Sequence, residues 1–309
     1  MLGILWSILP IFALIVLGNL LRRGGIPSVT FWNLNDKLVY WVLFPSLLFY
    51  KTSTTDLTGN AFGPLALTIL CGLGAAVVVS LILGLTLGFS RPQATSILQG
   101  SARHNTFIAL AISERLFGIE GLAVAALTTA VLIPPTNVLI ISLMNIMLRQ
   151  GAAGGLWAPV AKDLVRNPLI LSVSLGVGAN LLGVGEIPVL HDTTEMLGRA
   201  ALPIVLLAVG ANIRIHEMRA SAGPIAVATT VKFLVFPAAV WGMCWTLGIT
   251  GVPAYVLTIF AVMPMPPSSF TIAREMGGDA PLAASMITLQ TLLSLITVPV
   301  SLVIAQHLF

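Results

Sequence analysis

Apolar runs long enough to cross a bilayer follow one another along almost the whole chain, as at 2–21 and 61–89. A crossing takes about 20 apolar residues in a helix. Apolar residues make up 57% of the chain and charged residues only 8%. A soluble domain carries about 25% charged residues, so a large soluble core here would lack its charged shell. The fold class is therefore all-α polytopic membrane protein. The first run has no basic leader and outlasts a signal-peptide core before Arg22 and Arg23 stop it, so it reads as a retained first helix.

Apolar runs, punctuated by Gly, Pro and charge, give ten expected spans: 2–21, 33–51, 61–89, 93–116, 120–148, 164–184, 189–212, 222–249, 253–276 and 280–307. With the N-terminus outside, nine basic residues fall at cytoplasmic ends: Arg22, Arg23, Arg91, Arg149, Lys162, Arg166, Arg214, Arg219 and Arg274. Only two, Lys51 and Arg115, fall at external ends. That asymmetry follows the positive-inside rule. It predicts a multi-pass protein of the cell inner (plasma) membrane with both termini outside. It also accounts for the net charge of +4 without nucleic acid as a partner. Cys71 and Cys244 stand alone within spans, as packing residues, with neither disulfide nor metal spacing.

The chain resembles itself. ISERLFGIEGLAVA at 112–125 lies over IAREMGGDAPLAAS at 272–285 after a shift of 160 residues. GGIP at 24–27 and GEIP at 185–188 each follow a first span, and Pro45 and Pro203 then correspond. Five spans per half, an odd number, would turn the second copy upside down. The expected domains are 1–148 and 164–309 as five-helix repeats, joined by a cytoplasmic linker at 149–163 that contains the Gly/Ala-rich RQGAAGGLWAP.

One span contains its own breaker. AVMPMPPSSFTIA at 261–273 places Pro264, Pro266 and Pro267 within four residues. Proline costs a helix interior about 3 kcal/mol, and unpaired backbone in hydrocarbon costs several more. The repeat mate of this ninth span is the fourth, with SARHNTFIALAI at 101–112. Paired interruptions in inverted repeats commonly meet at the bilayer midplane, where freed backbone groups line a substrate cavity. The half-helix that starts at Ser268 and Ser269 offers its N-terminal amides to an anion. Transport is the function this pattern favours.

These residues carry a resemblance to the auxin efflux carrier family, which includes plant PIN auxin exporters and bacterial malate- and malonate-type permeases. The similarity covers the chain. It includes LNDKLVYWVLFPSLLF in the second span, RHNT in the fourth, LIPPTNVL in the fifth and AVMPMPPSSFTIAREMGG in the ninth. The resemblance implies a scaffold from spans 1, 2, 6 and 7 and a transport domain from spans 3–5 and 8–10. It also implies crossing broken helices 4 and 9 and elevator-type alternating access. The family's fourth-span Asn contacts the substrate carboxylate and matches Asn105 here. The family usually has a proline seven residues further on, where this chain has Ile112.

The expected substrate-binding residues are Arg103, Asn105, Thr106, Pro266, Pro267, Ser268 and Ser269. Arg103 lies about 18 Å along the helix from Arg91, near mid-depth, where arginine is costly and is functional or paired. It serves either as a counter-charge to an anion or as a structural guanidinium bonded internally. Lys232 is read as a substrate or coupling residue, or as an amine bonded to broken-helix carbonyls. His104 has the chemistry to carry a coupling proton, and equally that of a satisfied hydrogen-bonding residue. Asn137 and Gln290 either contact substrate or a cation, or bridge helices. Arg199, four residues after Glu195, reads as a structural pair. Lys37, beside Asp36, snorkels at the cytoplasmic edge and is assigned no site.

The leading function is secondary transport of a small organic anion, such as a dicarboxylate or an auxin-like acid. The alternative is a membrane sensor that binds such a ligand without moving it. No G-x-S-x-G, no H-E-x-x-H and no paired deep aspartates speak for an enzyme, and no cofactor or metal is expected. The bilayer and the anion are the expected partners. Substrate identity, direction, coupling ion and assembly, a homodimer included, stay open.

Overall fold

The computed structural model describes residues 2–54, 62–148, 168–184, 187–213 and 222–309, and every regular element among them is helical. The expected linker at 149–163 lies outside the described residues. In the first half, α1 is Leu2–Arg23, α2 Val29–Leu38, α3 Phe44–Thr54, α4 Phe62–Thr86, α5 Arg91–Ala102 and α6 Thr106–Leu148. In the second, α7 is Pro168–Leu181, α8 Leu190–Ala211, α9 Ala222–Thr230, α10 Phe236–Leu247, α11 Gly251–Ala261, α12 Ser268–Met276 and α13 Ala280–Leu308.

Two of these boundaries are continuous rods with a single π turn, Val39–Leu43 between α2 and α3 and Val231–Val235 between α9 and α10. Each turn precedes a Phe-Pro pair, Phe44-Pro45 and Phe236-Pro237. The Phe N–H reaches back five residues, to Val39 O and to Val231 O. The wider turn makes room for a proline ring that would otherwise strike the carbonyl of the preceding turn. Serine caps open two other helices. Ser28 Oγ accepts from the Phe31 amide, and Ser90 with Gln93 forms a capping box ahead of α5.

Among the described residues, six helical stretches are long and apolar enough to cross a membrane; Pro168–Leu181 and Gly251–Ala261 are apolar but shorter. The stretch Arg91–Leu148 has 58 residues. At 1.5 Å per residue that is about 87 Å, far more than one hydrocarbon thickness of roughly 30 Å. It is not one rod. Helical structure lapses at 103–105, and Gly118 takes φ 61° and ψ −142°, a conformation open to glycine and strained for other residues.

Two groups of helices emerge from the packing. α1 lies against α8, and α3 lies against α7 and α8. α4 packs on α5 and α10, while α11 sits between α6 and α13. The first group is held at very short range. A Cβ placed on Gly18 would overlap the Leu207 carbonyl, one on Gly210 the Ile15 carbonyl, and one on Gly176 the Thr52 side chain. Without a hydrophobic drive inside lipid, such small-residue contacts are what bring helices together. The ends are tied as well. Arg22 Nη1 donates to Ala211 O and Asn212 Oδ1, and Asn19 Nδ2 donates to Gly210 O and Ile213 O, closing the C-terminus of α8.

Candidate functional site

The polar run SARHN interrupts helix between α5 and α6, and the proline-rich run does so between α11 and α12. The two interruptions touch. The Asn105 N–H donates to Pro264 O at 2.8 Å. In a continuous helix that carbonyl would serve the residue four further on.

Asn105 also begins the next helix. Its Oδ1 accepts from the amides of Phe107 (3.1 Å) and Ile108 (3.2 Å), which makes it the N-cap of α6. This cap restarts the helix without a proline beside it, and Ile112, seven residues on, is a buried core residue. The other end of the amide is left over. Asn105 is 1% exposed, and its Nδ2 has no hydrogen-bond partner within the protein.

Arg103 spans both interruptions. Nη1 donates to Asn137 Oδ1 at 3.1 Å and Nη2 to Ser268 Oγ at 3.3 Å, while the buried Nε has no partner. Its carbonyl takes Lys232 Nζ at 2.9 Å. Gln290 closes the opposite side: Oε1 accepts from the Met265 amide at 2.9 Å, and Nε2 donates to Gly100 O at 3.0 Å. Gln290 thus bridges the two interruptions from α13. The buried His104 ring lies 5.8 Å from that of Phe260, and its Nδ1 has no partner.

At the start of α12 the Ser269 and Phe270 amides turn back to Pro266 O and Pro267 O, so those two donors are already engaged. Ser269 Oγ is buried and unpartnered. Ser268 is exposed, and Thr106, Pro266 and Pro267 are half-buried.

A cavity of about 620 Å³ reaches this place. Pro266, Pro267, Ser268 and Phe107 form its inner wall, and Val205, Val209, Tyr40 and Trp41 face them from the other helix group. Arg22, Asp36, Lys37, Asn212 and Arg274 also line it, and the Asp36 carboxylate accepts from Asn212 Nδ2 at 3.1 Å. Of the residues expected to bind substrate, Pro266, Pro267 and Ser268 line this cavity, whereas Arg103, Asn105 and Ser269 are buried. Asp36 and Lys37, assigned no site from sequence, belong to its lining. Their one available signal was a charged pair at a span edge. A second cavity of about 760 Å³ lies toward the other end of α1, between Pro10, Leu14, Leu47, Glu114, Arg115 and Glu195, and reaches neither interruption. The expected Arg199–Glu195 pair forms there, at 2.7 Å.

Apolar spans, two helix groups with cavities between them, and paired helix ends beside one cavity make this a membrane transport protein. Comparisons with known proteins agree. The family described as Membrane transport protein matches residues 156–302. An "Uncharacterized transporter" of Methanothermobacter thermautotrophicus is 22% identical over 95% of both chains. A "Putative malonate transporter" of Rhizobium meliloti is 28% identical over 94% of this chain and 92% of its own. The resemblance read from the motifs is borne out: the second half of the chain is similar to that membrane transport family, and nearly its whole length is similar to two proteins named as transporters.

Proposed function

We propose that this protein is a secondary transporter of a small organic anion, and that the anion's carboxylate is received at the paired interruptions. One observation carries the reading. The bond from Asn105 N–H to Pro264 O joins the two interruptions, and there Asn105 Nδ2 and Arg103 Nε lie buried without partners, close in sequence and contact to the cavity-lining Phe107 and Ser268. A buried donor without an acceptor costs about 1–3 kcal/mol, which an arriving carboxylate recovers. Arg103 adds the positive potential that lets an anion rest at depth. Asn105, Arg103, Ser268 and Ser269 are the donors in this reading, with Thr106, Pro266 and Pro267 shaping the wall. Asn137 and Gln290 hold the donors in place.

The fold reading that accompanies this is ten spans in two inverted repeats, with spans 4 and 9 broken and crossing. Two of the three glycine contacts support it, because Gly18 of the first span against the seventh mirrors Gly176 of the sixth span against the second. The grouping of α1–α3 with α7 and α8 supports a scaffold, against which the interruptions and their helices move as an elevator. Orientation follows the basic residues, with Arg22, Lys37 and Arg274 at the cytoplasmic mouth of the cavity and both termini outside, in the cell inner membrane.

The relative named for malonate makes malonate the first probe. Purified protein in proteoliposomes loaded with unlabelled malonate, or with other mono- and dicarboxylic acids, is expected to take up the labelled acid by counterflow. Binding of an acid without counterflow of any of them overturns transport and leaves a sensor.

A further inference from the structure

Among the described residues, Lys232 is the Lys, Arg, Asp or Glu side chain with no exposure at all. It projects from the π turn Val231–Val235, and that turn packs on α4 and α5, the helices next to the first interruption. Its Nζ meets Arg103 O at 2.9 Å and lies 5.0 Å from the centre of the Phe236 ring. The Arg103 carbonyl is available because the Phe107 amide, its helical partner, donates to Asn105 Oδ1 instead. Gly100 O, one turn earlier, takes Gln290. The ammonium therefore sits at the negative end of α5, on the Arg103 carbonyl that the interruption releases.

In transporters with discontinuous helices, such released carbonyls and half-helix C-termini are where a coupling sodium ion binds. Here a compact ammonium with three donors already meets one of them, Arg103 O. Among the described residues the only ion pair is Arg199–Glu195, so no carboxylate pairs with Lys232 or with Arg103. No group of three or more Asp, Glu, His or Cys that could hold a metal ion occurs among them either. A third positive charge beside these two would be repelled without compensation.

We infer that Lys232 is a built-in cation of the crossing, standing where a coupling sodium ion would bind, so that anion transport by this protein needs no sodium. This rests on the transport reading for its consequence, but the cation site itself is testable without any organic anion. The test is thermal unfolding of purified protein at constant ionic strength in choline, sodium or methylammonium chloride. The wild type is expected to melt at one temperature in all three. Lys232→Ala leaves the Arg103 carbonyl bare and opens space. It is expected to melt lower in choline and to regain at least about 2 °C, saturably, in methylammonium or sodium. Lys232→Met fills the space without charge and is expected to regain nothing.

An alanine variant indifferent to both cations would overturn the inference. So would saturable stabilisation of the wild type by sodium, a result that stands even if the alanine variant does not fold. Sodium-independent counterflow of malonate by the wild type is the matching functional result. Counterflow that requires sodium contradicts the inference, whereas no counterflow at all strikes the transport reading and leaves the cation result in force.

Discussion

The two interruptions solve one problem by opposite means. The second, at 262–267, is written in prolines: it is apolar and buried at Val262, Met263 and Met265, and its missing donors are built into the chain. The first, at 103–105, has no proline and is only three residues long. It stops the helix with side chains instead, through an asparagine that caps the next helix and an arginine that reaches across to Ser268. A proline break is rigid and chemically mute, while a side-chain break carries donors. The buried donors without partners at Asn105 and Arg103 therefore belong to the first interruption, and the second supplies a cavity wall and the Pro264 carbonyl that holds it.

The largest expected effect comes from the residue that ties the two together. Gln290→Leu leaves the Met265 amide and the Gly100 carbonyl unpaired in a fully buried place. At about 1–3 kcal/mol for each orphaned group, roughly 2–6 kcal/mol of stability is lost. Thermal unfolding in detergent should show it. A variant that melts like the wild type would mean that the interruptions hold each other without Gln290.

Next is Arg103→Gln. The variant keeps a polar side chain but loses the charge and the reach to Asn137 and Ser268. Anion affinity should fall by about ten- to hundredfold, the equivalent of a charge-assisted hydrogen bond of about 1.5–3 kcal/mol. Loss of folded protein with unchanged affinity in what remains would make Arg103 structural. Ser268→Ala should do least. The Arg103 contact is long at 3.3 Å and Ser268 is exposed, so affinity should change by no more than about fivefold. A larger loss in titrations would make Ser268 as strong a donor as Arg103 and blur the contrast.

Much of this was legible in the sequence. Apolar runs located the helices, and Pro264, Pro266 and Pro267 announced the second interruption, because proline acts on its own backbone wherever it stands. The first was visible only as a polar run with a resemblance behind it. Nothing in SARHN says that Asn105 turns its oxygen to α6, since a cap depends on where the next helix begins. Gln290 as a bridge, Lys232 on Arg103 O, and Asp36 with Asn212 join residues 190, 129 and 176 positions apart. Such pairings follow from packing, which a local reading does not contain. Lys37 was set aside for the same reason, as a cavity wall needs both its faces to be seen.

Asn105 holds two roles that one substitution separates. Asn105→Ser keeps an oxygen able to cap α6, because serine is as good an N-cap as asparagine, but removes the Nδ2 donor. Isothermal titration of wild type and variant with the acid that counterflow identifies tests the claim that this buried amide receives the carboxylate. The expected result is an unchanged melting temperature with affinity lowered by about tenfold or more, as loss of a hydrogen bond to a charged group requires. Wild-type affinity in a folded Asn105→Ser protein would contradict it, and would move the anion site away from the first interruption.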